Sequence, residues 1–341
     1  MPADSIKNLN PLGEVTDTVP DHDFFAIENP LKIALKYDIT SFIKNKSKGE
    51  YIDAELQVFY NENEPIVKNI RIQARGNFRR GQCYFPPLSL NFKTDPIEQT
   101  DLKGIKKIKV VTHCSSAKSS DPLILKEFLA YKIYNILTDK SFRVRLLDIH
   151  YIDTGKKQLN FQERGFIIEP AEHVASRNNC VLIDPMIITA KNLIEEDADR
   201  VAMFRYMISD TDWRIRSGHN IKFMKSMVDV TDKVVTLPYD FDFSGFVGAS
   251  YADPQEWSDA SSIYQRDYLG YCRDNDDDYY KIIDLYSSKQ NEIMSTINAF
   301  NLLSEKDRKE AASFAEDFFK EISNPKSLVS SLKRECQPMD F

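Results

Sequence analysis

The stretch that decides the organisation of this chain lies in its second half, where polar residues flank two short apolar runs. Residues 210–224 read DTDWRIRSGHNIKFM and residues 234–247 read VVTLPYDFDFSGFV. The apolar runs predict two strands of a β-hairpin, which would gather the polar side chains into one small volume. Those side chains are Asp212, Asn220, Asp240 and Asp242. Because Mg²⁺ is bound through a few carboxylate and amide oxygens, the hairpin predicts a magnesium site, with two loops of solvated acids as the alternative.

Length and composition predict a globular protein with a substantial core. The chain has 341 residues, of which 42% are hydrophobic, enough for one large domain or two lobes. No run approaches the roughly 18 apolar residues that a membrane span requires, and residues 1–5 lack the charged and apolar regions of a signal peptide. The net charge of −7 argues against nucleic acid as the main partner.

The five cysteines argue against a zinc site, because none has the spacing or the histidine partners of a zinc ligand set. An odd number leaves at least one thiol free. Cys83 and Cys114 both lie near predicted strands, so they would pair in an exported protein and would otherwise be buried free thiols. The sequence does not decide between these two states.

Hydrophobic periodicity divides the chain into a β-rich part followed by a helical part. Residues 1–25 are polar without periodicity, and we expect a flexible arm there. Alternation predicts strands near residues 31–35 and at 52–60, 66–74, 88–92, 105–111, 142–152 and 165–169. Helices are predicted from Asp121 to Leu137 and at 194–208, 279–302, 305–322 and 328–336. An antiparallel sheet is the simplest arrangement, so we expect an α+β fold with a ligand cleft between its two parts.

The polar residues supply one candidate for each task of phosphoryl transfer. Asp212 would orient a hydroxyl and accept its proton, while Asn220 and Asp240 would bind the metal. Asp242 is the candidate second acidic ligand. Arg75 lies in a glycine-containing turn at a strand end and would contact phosphate, although such turns are also commonly solvated. No P-loop, G-x-G-x-x-G or G-x-S-x-G motif is present, which removes the commonest NTPase, dinucleotide and hydrolase interpretations.

In their order along the chain these motifs resemble the spore coat protein H (CotH-like) kinase family, whose members are similar to divergent protein kinases. Arg75-Gly76-Asn77 resembles the R-G-N segment of that family. Asp212 with Asn220 is similar to its catalytic acid and metal-binding asparagine. Pro238-Tyr239-Asp240-Phe241-Asp242 resembles its Pro-Trp-Asp-x-Asp element, in which the first acid binds metal. The strand that ends at Glu169 resembles the strand entering the hinge between the lobes, which implies a cofactor contact at that residue.

The resemblance covers residues 65–250 and implies a two-lobed protein-kinase-like fold. Its antiparallel β-rich N-lobe, residues 26–170, would hold one helix, and its mainly helical C-lobe, residues 171–341, would carry the catalytic and metal loops. One departure concerns the lysine that contacts nucleotide phosphates, because this chain has Phe85-Pro86-Pro87 where the family often carries lysines. The candidates for that role are Lys93, Lys106 and Arg75.

The resemblance thus implies a kinase that uses ATP and Mg²⁺ or Mn²⁺ to phosphorylate a protein hydroxyl. Two alternatives stay open. Asp240-x-Asp242 is also typical of the D-x-D metal clamp of a nucleotide-sugar glycosyltransferase, and a pseudokinase or envelope binding module would keep the fold without catalysis. Because the family is associated with spore coats and cell envelopes, we expect an exported protein whose leader has been removed.

Overall fold

The computed structural model describes residues 24–60, 64–76, 78–98, 102–115, 120–229 and 231–339. The expected arm, residues 1–25, lies outside this part of the chain except for Phe24 and Phe25, which are both buried against the first sheet. Asn77, from the R-G-N segment, also lies outside the described residues. None of the helices in the described ranges is both long and apolar enough to cross a membrane.

Seven strands of the first half close into a barrel, in the order β1-β2-β3-β4-β5-β7-β6. Their bounds are β1 Leu31–Tyr37, β2 Ile52–Phe59, β3 Ile66–Ala74, β4 Leu88–Asn91, β5 Lys107–Thr112, β6 Val144–Asp153 and β7 Asn160–Ile168. Apolar residues alternate along the strands and fill the interior, where Leu35, Ile72, Leu88 and Val110 are completely buried. Six of the seven strands begin and end within two residues of the predicted bounds, whereas β7 begins at Asn160, five residues before its predicted start.

The expected two-lobed kinase-like fold with an antiparallel lobe is wrong. Strand β6 pairs in parallel with β1, from Leu31 opposite Leu147 to Tyr37 opposite Asp153, and this pairing closes the barrel. A separate three-stranded sheet lies in the half that was expected to be mainly helical. Alternation along a strand indicates which face is buried, but it carries no information about a partner strand more than a hundred residues away.

Three helices are described in the first half instead of the one expected, and the helix predicted at residue 121 is the longest of them. They are α1 Ile39–Asn45, α2 Phe78–Gln82 and α3 Ser120–Leu137. Helix α3 packs its apolar face on the outside of β6 and β7 and on the helices of the second half. This position places α3 between the barrel and the second sheet.

The second half is a small sheet surrounded by helices. Its elements are α4 Ala171–Arg177, β8 Cys180–Ile183, α5 Glu195–Met207, β9 Ile221–Ser226, β10 Val234–Pro238, α6 Asp276–Ala299, α7 Glu305–Ile322 and α8 Pro325–Glu335. Strands β9 and β10 pair antiparallel, which confirms the predicted hairpin. The barrel and this sheet line opposite sides of a cleft of about 570 Å³.

Two disulfides cross-link the chain. Cys83 pairs with Cys114 beside the end of β5, with their Cα atoms 4.6 Å apart, and Cys272 pairs with Cys336 near the start of α6 and the end of α8. Cys180 keeps a buried free thiol. The first pairing is therefore the exported-protein alternative of the two that the sequence left open.

Candidate active site

The loop between α5 and β9, residues 208–220, is the acid/base loop and fixes the carboxylate of Asp212. Its Oδ1 accepts a hydrogen bond from His219 Nε2 at 2.7 Å, and its Oδ2 accepts one from Asn220 Nδ2 at 2.9 Å. The backbone N–H of Asp212 donates to Oδ1 of Asp210 at 2.9 Å. The hydrogen bond to Asp212 raises the pKa of His219 above its usual value. Asp212 thus has a fixed orientation while remaining partly accessible to solvent.

The loop after β10, residues 239–248, is the metal loop and contributes two of three clustered carboxylates. Oxygens of Asp240 and Asp242 lie within 4.8 Å of one another and of an oxygen of Glu127 from α3. The backbone N–H of Asp240 donates to Tyr131 Oη at 2.8 Å, and Tyr251 Oη donates to Asp242 Oδ2 at 2.9 Å. These contacts hold three acids close together despite their mutual repulsion.

Arg79 from α2 lies beside this cluster and compensates part of its charge. Its guanidinium is 3.7 Å from Glu127 and 3.9 Å from Asp242, and it donates to the carbonyl of Thr112 at 2.6 Å. Burial, followed by repulsion from Asp240, raises the pKa of Asp242 to about 7, although Arg79 acts in the opposite direction. Burial also raises the pKa of Glu127 well above its usual value, and Asp242 adds to the effect.

Glu127 has an unsatisfied oxygen in this cluster. The residue is 1% exposed, and its Oε1 has no hydrogen-bond partner among the described residues. A buried carboxylate oxygen without a partner costs free energy, and a cation held between the three acids would remove that cost. The geometry therefore fits an oxygen-coordinated divalent ion.

Basic residues line both walls of the cleft. Arg75, Lys107 and Lys109 line it from the barrel, and Lys222 of β9 lines it from the sheet. Desolvation in the cleft, followed by repulsion from Arg75, lowers the pKa of Lys109 to about 8. The Nε of Arg75 is buried and has no hydrogen-bond partner among the described residues. Such a surface suits the phosphates of a nucleotide.

The ring of Tyr239 lies between the two lysines nearest the acids. The ammonium of Lys109 is 5.4 Å from the ring centroid and that of Lys222 is 5.7 Å from it. The apolar part of the cleft wall is formed by Phe142, Ile168, Leu182, Ile183 and Phe223. The cleft thus combines an apolar patch with several cations and the carboxylate of Asp240.

Glu169 lines the cleft, but its carboxylate is used inside the protein. Arg143 donates to its Oε1 at 3.0 Å, Arg177 at 2.9 Å and His173 at 2.6 Å. The side chain is buried and joins the end of β7 to α4. Its role in the structure is to hold this edge of the cleft.

Of the residues selected from sequence, the structure brings Asp212 and Asn220 into contact and joins Asp240 to Asp242 in one cluster. Tyr239 links the two groups, because its N–H donates to the carbonyl of Asn220 at 3.1 Å. Arg75 lies across the same cleft.

Sequence reasoning missed Glu127 and Lys109. Glu127 lies off the apolar face of α3, a position typical of a surface residue, whereas it is buried in the acidic cluster. Lys107 and Lys109 alternate with the buried residues of β5, and this alternation was the available signal that both point out of the barrel. The proposed replacements Lys93 and Lys106 are not among the residues that line the cleft.

Comparison with known proteins gives a weak structural similarity. No family model and no curated protein matches the chain. Among solved structures, the chain is similar to the proinflammatory kinase CtkA of Helicobacter pylori, with 12% sequence identity and a TM-score of 0.39, over 72% of this chain and 92% of that chain. A TM-score this low does not establish a shared fold, so the function of this chain is inferred from its own residues.

Proposed function

We propose that this protein is a phosphotransferase that moves the γ-phosphoryl group of ATP to a hydroxyl of a protein acceptor. The observation that carries the proposal is that Asp240, which belongs to the acidic cluster with Glu127 and Asp242, lines the same cleft as Lys109 and Arg75. Phosphoryl transfer needs these two charge types on opposite sides of the same phosphates.

The donor set of the cluster fits Mg²⁺ or Mn²⁺. All three groups offer carboxylate oxygens, and one of these oxygens, on Glu127, is buried without a partner among the described residues. The amide of Asn220 uses its N–H on Asp212, which leaves its carbonyl oxygen as a further donor. When bound, the ion would neutralise charge on the phosphates.

The cleft has the size and lining expected for a nucleotide. Its volume of about 570 Å³ lies in the usual range for small-molecule sites. The apolar wall accommodates a base, while Lys109, Lys222 and Arg75 would hold the phosphates next to Asp240. The cations would also stabilise the negative charge that develops on the transferred group.

Asp212 would act on the acceptor. Its two carboxylate oxygens are fixed by His219 and Asn220, so an acceptor hydroxyl could donate to a carboxylate of known orientation. The hydroxyl proton would pass to Asp212 as the oxygen attacks the γ-phosphorus, while the bond from that phosphorus to the bridging oxygen breaks and ADP leaves. Because both carboxylate oxygens are held by these neighbours, positioning of the hydroxyl is its larger contribution.

The direct test measures thermal stability and phosphate transfer of the purified protein with ATP and either Mg²⁺ or Mn²⁺. We expect stabilisation by the pair of ligands and transfer to an acceptor, both lost in Asp240→Ala. Asp184→Asn is the matched control, because Asp184 lines the same cleft outside the cluster. Absence of both effects in the wild type would refute the proposal.

A nucleotide-sugar glycosyltransferase is the second candidate, because both acids of Asp240-x-Asp242 lie in the metal cluster. Stabilisation by UDP-sugars and not by ATP would favour it. Partner binding without any effect of nucleotide or metal would instead favour the non-catalytic envelope module.

We also propose that the protein functions in an oxidising compartment, as an exported protein would. The disulfides Cys83–Cys114 and Cys272–Cys336 support this, because disulfides are rare in reducing compartments. Detection of free thiols at these positions in protein isolated from its native source would contradict the proposal.

A further inference from the structure

Arg205, in the last turn of α5, is completely buried beneath both functional loops. Its Nη1 contacts the Asp210 carboxylate and donates to the carbonyl of Asp240 at 3.2 Å. Its Nη2 donates to the carbonyls of Asn220 at 3.0 Å and Tyr239 at 2.8 Å. One guanidinium therefore binds the acid/base loop and the metal loop at the same time.

Two of the three carbonyls that Arg205 binds belong to residues with unusual backbone geometry. Asn220 and Asp240 have φ angles of +52° and +64°, in the left-handed region that side-chain-bearing residues rarely adopt. This conformation costs free energy, and surrounding contacts must hold it in place. The hydrogen bonds from Arg205 supply contacts of that kind at both residues.

The remaining contacts of Arg205 reach Asp212 and the middle of the metal loop. Asp210, its ionic partner, accepts the backbone N–H of Asp212 at 2.9 Å. The Arg205 guanidinium also lies 4.7 Å from the ring centroid of Phe241, between Asp240 and Asp242 in the chain. Backbone hydrogen bonds also join the two loops, from Tyr239 to the carbonyl of Asn220 at 3.1 Å and from residues 245 and 246 to residues 209 and 208.

We infer that Arg205 is the positioning residue of the site, which sets the acid/base loop and the metal loop in register so that Asp212, Asn220 and Asp240 act on one substrate. This inference rests on the proposed phosphotransfer function. Arg205 does not touch the reacting atoms. A planar guanidinium donates in several fixed directions, whereas a lysine ammonium is a single point charge and cannot reproduce four bonds to separate acceptors.

The test compares Arg205→Lys with Arg200→Lys. Arg200 lies on the same helix and is largely buried, but its guanidinium pairs with Asp197 and Glu196 within α5 and contacts neither loop. Mn²⁺ affinity is titrated with and without ATP, at a temperature where all variants are folded, and kcat and KM for ATP are measured. We expect Arg205→Lys to lose about 10–100-fold in Mn²⁺ affinity and in kcat with little change in KM, and Arg200→Lys to match the wild type.

A second variant distinguishes loss of the guanidinium contacts from a folding defect. Arg205→Ala is titrated with Mn²⁺ in the presence of millimolar methylguanidinium, which should restore part of the lost affinity by filling the vacated space. Equal Mn²⁺ affinity and kcat in Arg205→Lys and the wild type, or equal losses in both lysine variants, would overturn the inference.

The role of Arg205 in coupling the two loops can also be tested independently of the proposed function. If the wild type binds neither metal nor nucleotide, amide hydrogen exchange decides the matter. Peptides covering residues 210–221 and 237–244 should then exchange faster together in Arg205→Lys and be unchanged in Arg200→Lys. Faster exchange in neither segment, or in one alone, would show that Arg205 does not couple the loops.

Discussion

On the helical side of the cleft the charged groups are fixed by neighbouring side chains, whereas the barrel side presents its cations with fewer contacts. Asp212 is bound by His219 and Asn220, and Asp242 by Tyr251. Three carboxylates are thereby kept close together although burial and repulsion oppose their ionisation. These side-chain contacts define the geometry of the acidic side.

On the barrel side, Lys109 rests over the ring of Tyr239 and has a lowered pKa, and the buried Nε of Arg75 has no hydrogen-bond partner among the described residues. A bound polyanion would supply the missing partners. Under the proposed function, the acids would fix the position of phosphoryl transfer. The side chains of the cations would be ordered by the phosphates that they bind. Changes on the acidic side should therefore cost more than changes on the basic side.

The largest effect is expected for Asp240→Asn, which removes one charge from the most crowded cluster. Metal ions supply several kcal/mol of stabilisation in such reactions, so transfer should fall by roughly 10³-fold or more. Single-turnover transfer and Mn²⁺ titration measure the change. Because the substitution also relieves repulsion, the metal-free protein should melt at a higher temperature than the wild type. Unchanged metal affinity would place the ion elsewhere.

The next effect tests the other fixed acid. Asp212→Asn keeps an oxygen that can accept from His219 but cannot take up the hydroxyl proton. Loss of a general base typically costs about 10²–10⁴-fold in rate. The affinities for metal and nucleotide should stay within about twofold of the wild-type values, because separate sites have nearly independent effects. Rapid-quench rates and calorimetric titrations separate the two quantities. A parallel loss of nucleotide affinity would indicate a binding role for Asp212.

Local patterns predicted the elements of both sides, and they failed where a distant contact decides the outcome. Strand β3 and helix α7 begin and end at the predicted residues, and the hairpin of β9 and β10 forms as expected because its partners are adjacent in sequence. The contact between Asp212 and Asn220 forms within the loop before β9, where Arg214 and His219 pair across a short turn. The closing parallel pair β1–β6 depends on strands far apart in sequence, which alternation does not specify.

The same limit explains the missed site residues. Glu127 on an amphipathic helix has the pattern of an exposed residue, and its burial results from Arg79, which belongs to a different element. Lys109 was recognisable as facing out of its strand, but only the closed barrel determines that this face borders the cleft. Residue type and hydrophobic periodicity predict which face of a strand or helix a side chain occupies. Which residues that face contacts depends on tertiary packing.

A smaller effect is expected at the disulfide that holds the compensating arginine. Cys83 donates its N–H to the carbonyl of Arg79 at 2.9 Å, and Cys114 pairs with Cys83 beside the Thr112 carbonyl that Arg79 binds. The double variant Cys83→Ser/Cys114→Ser should lose roughly 2–4 kcal/mol of unfolding free energy. It should also lose about tenfold in Mn²⁺ affinity, the lower end for supporting residues. Urea unfolding and Mn²⁺ titration measure both.

The second disulfide provides the matched control for that experiment. Cys272→Ser/Cys336→Ser should lower the unfolding free energy to a similar degree, because its bridge also closes a long loop, but it should leave Mn²⁺ affinity unchanged. Equal losses of affinity in both double variants would mean that general destabilisation, and not the position of Arg79, weakens the metal site.

The smallest effect belongs to the basic side and depends on pH. Lys109 has a pKa lowered to about 8 by desolvation and by Arg75, so below pH 8 it is mainly charged and above pH 8 mainly neutral. Since phosphate binds the charged form, the affinity for ATP should fall as pH rises through 8. Lys109→Met should lose roughly tenfold in affinity at pH 7 and show little pH dependence. In Lys109→Arg, affinity should persist to higher pH, because the guanidinium stays charged. Calorimetric titrations from pH 6.5 to 9.5 distinguish these cases, and an identical pH profile in all three proteins would assign the phosphate contact to another cation of the cleft.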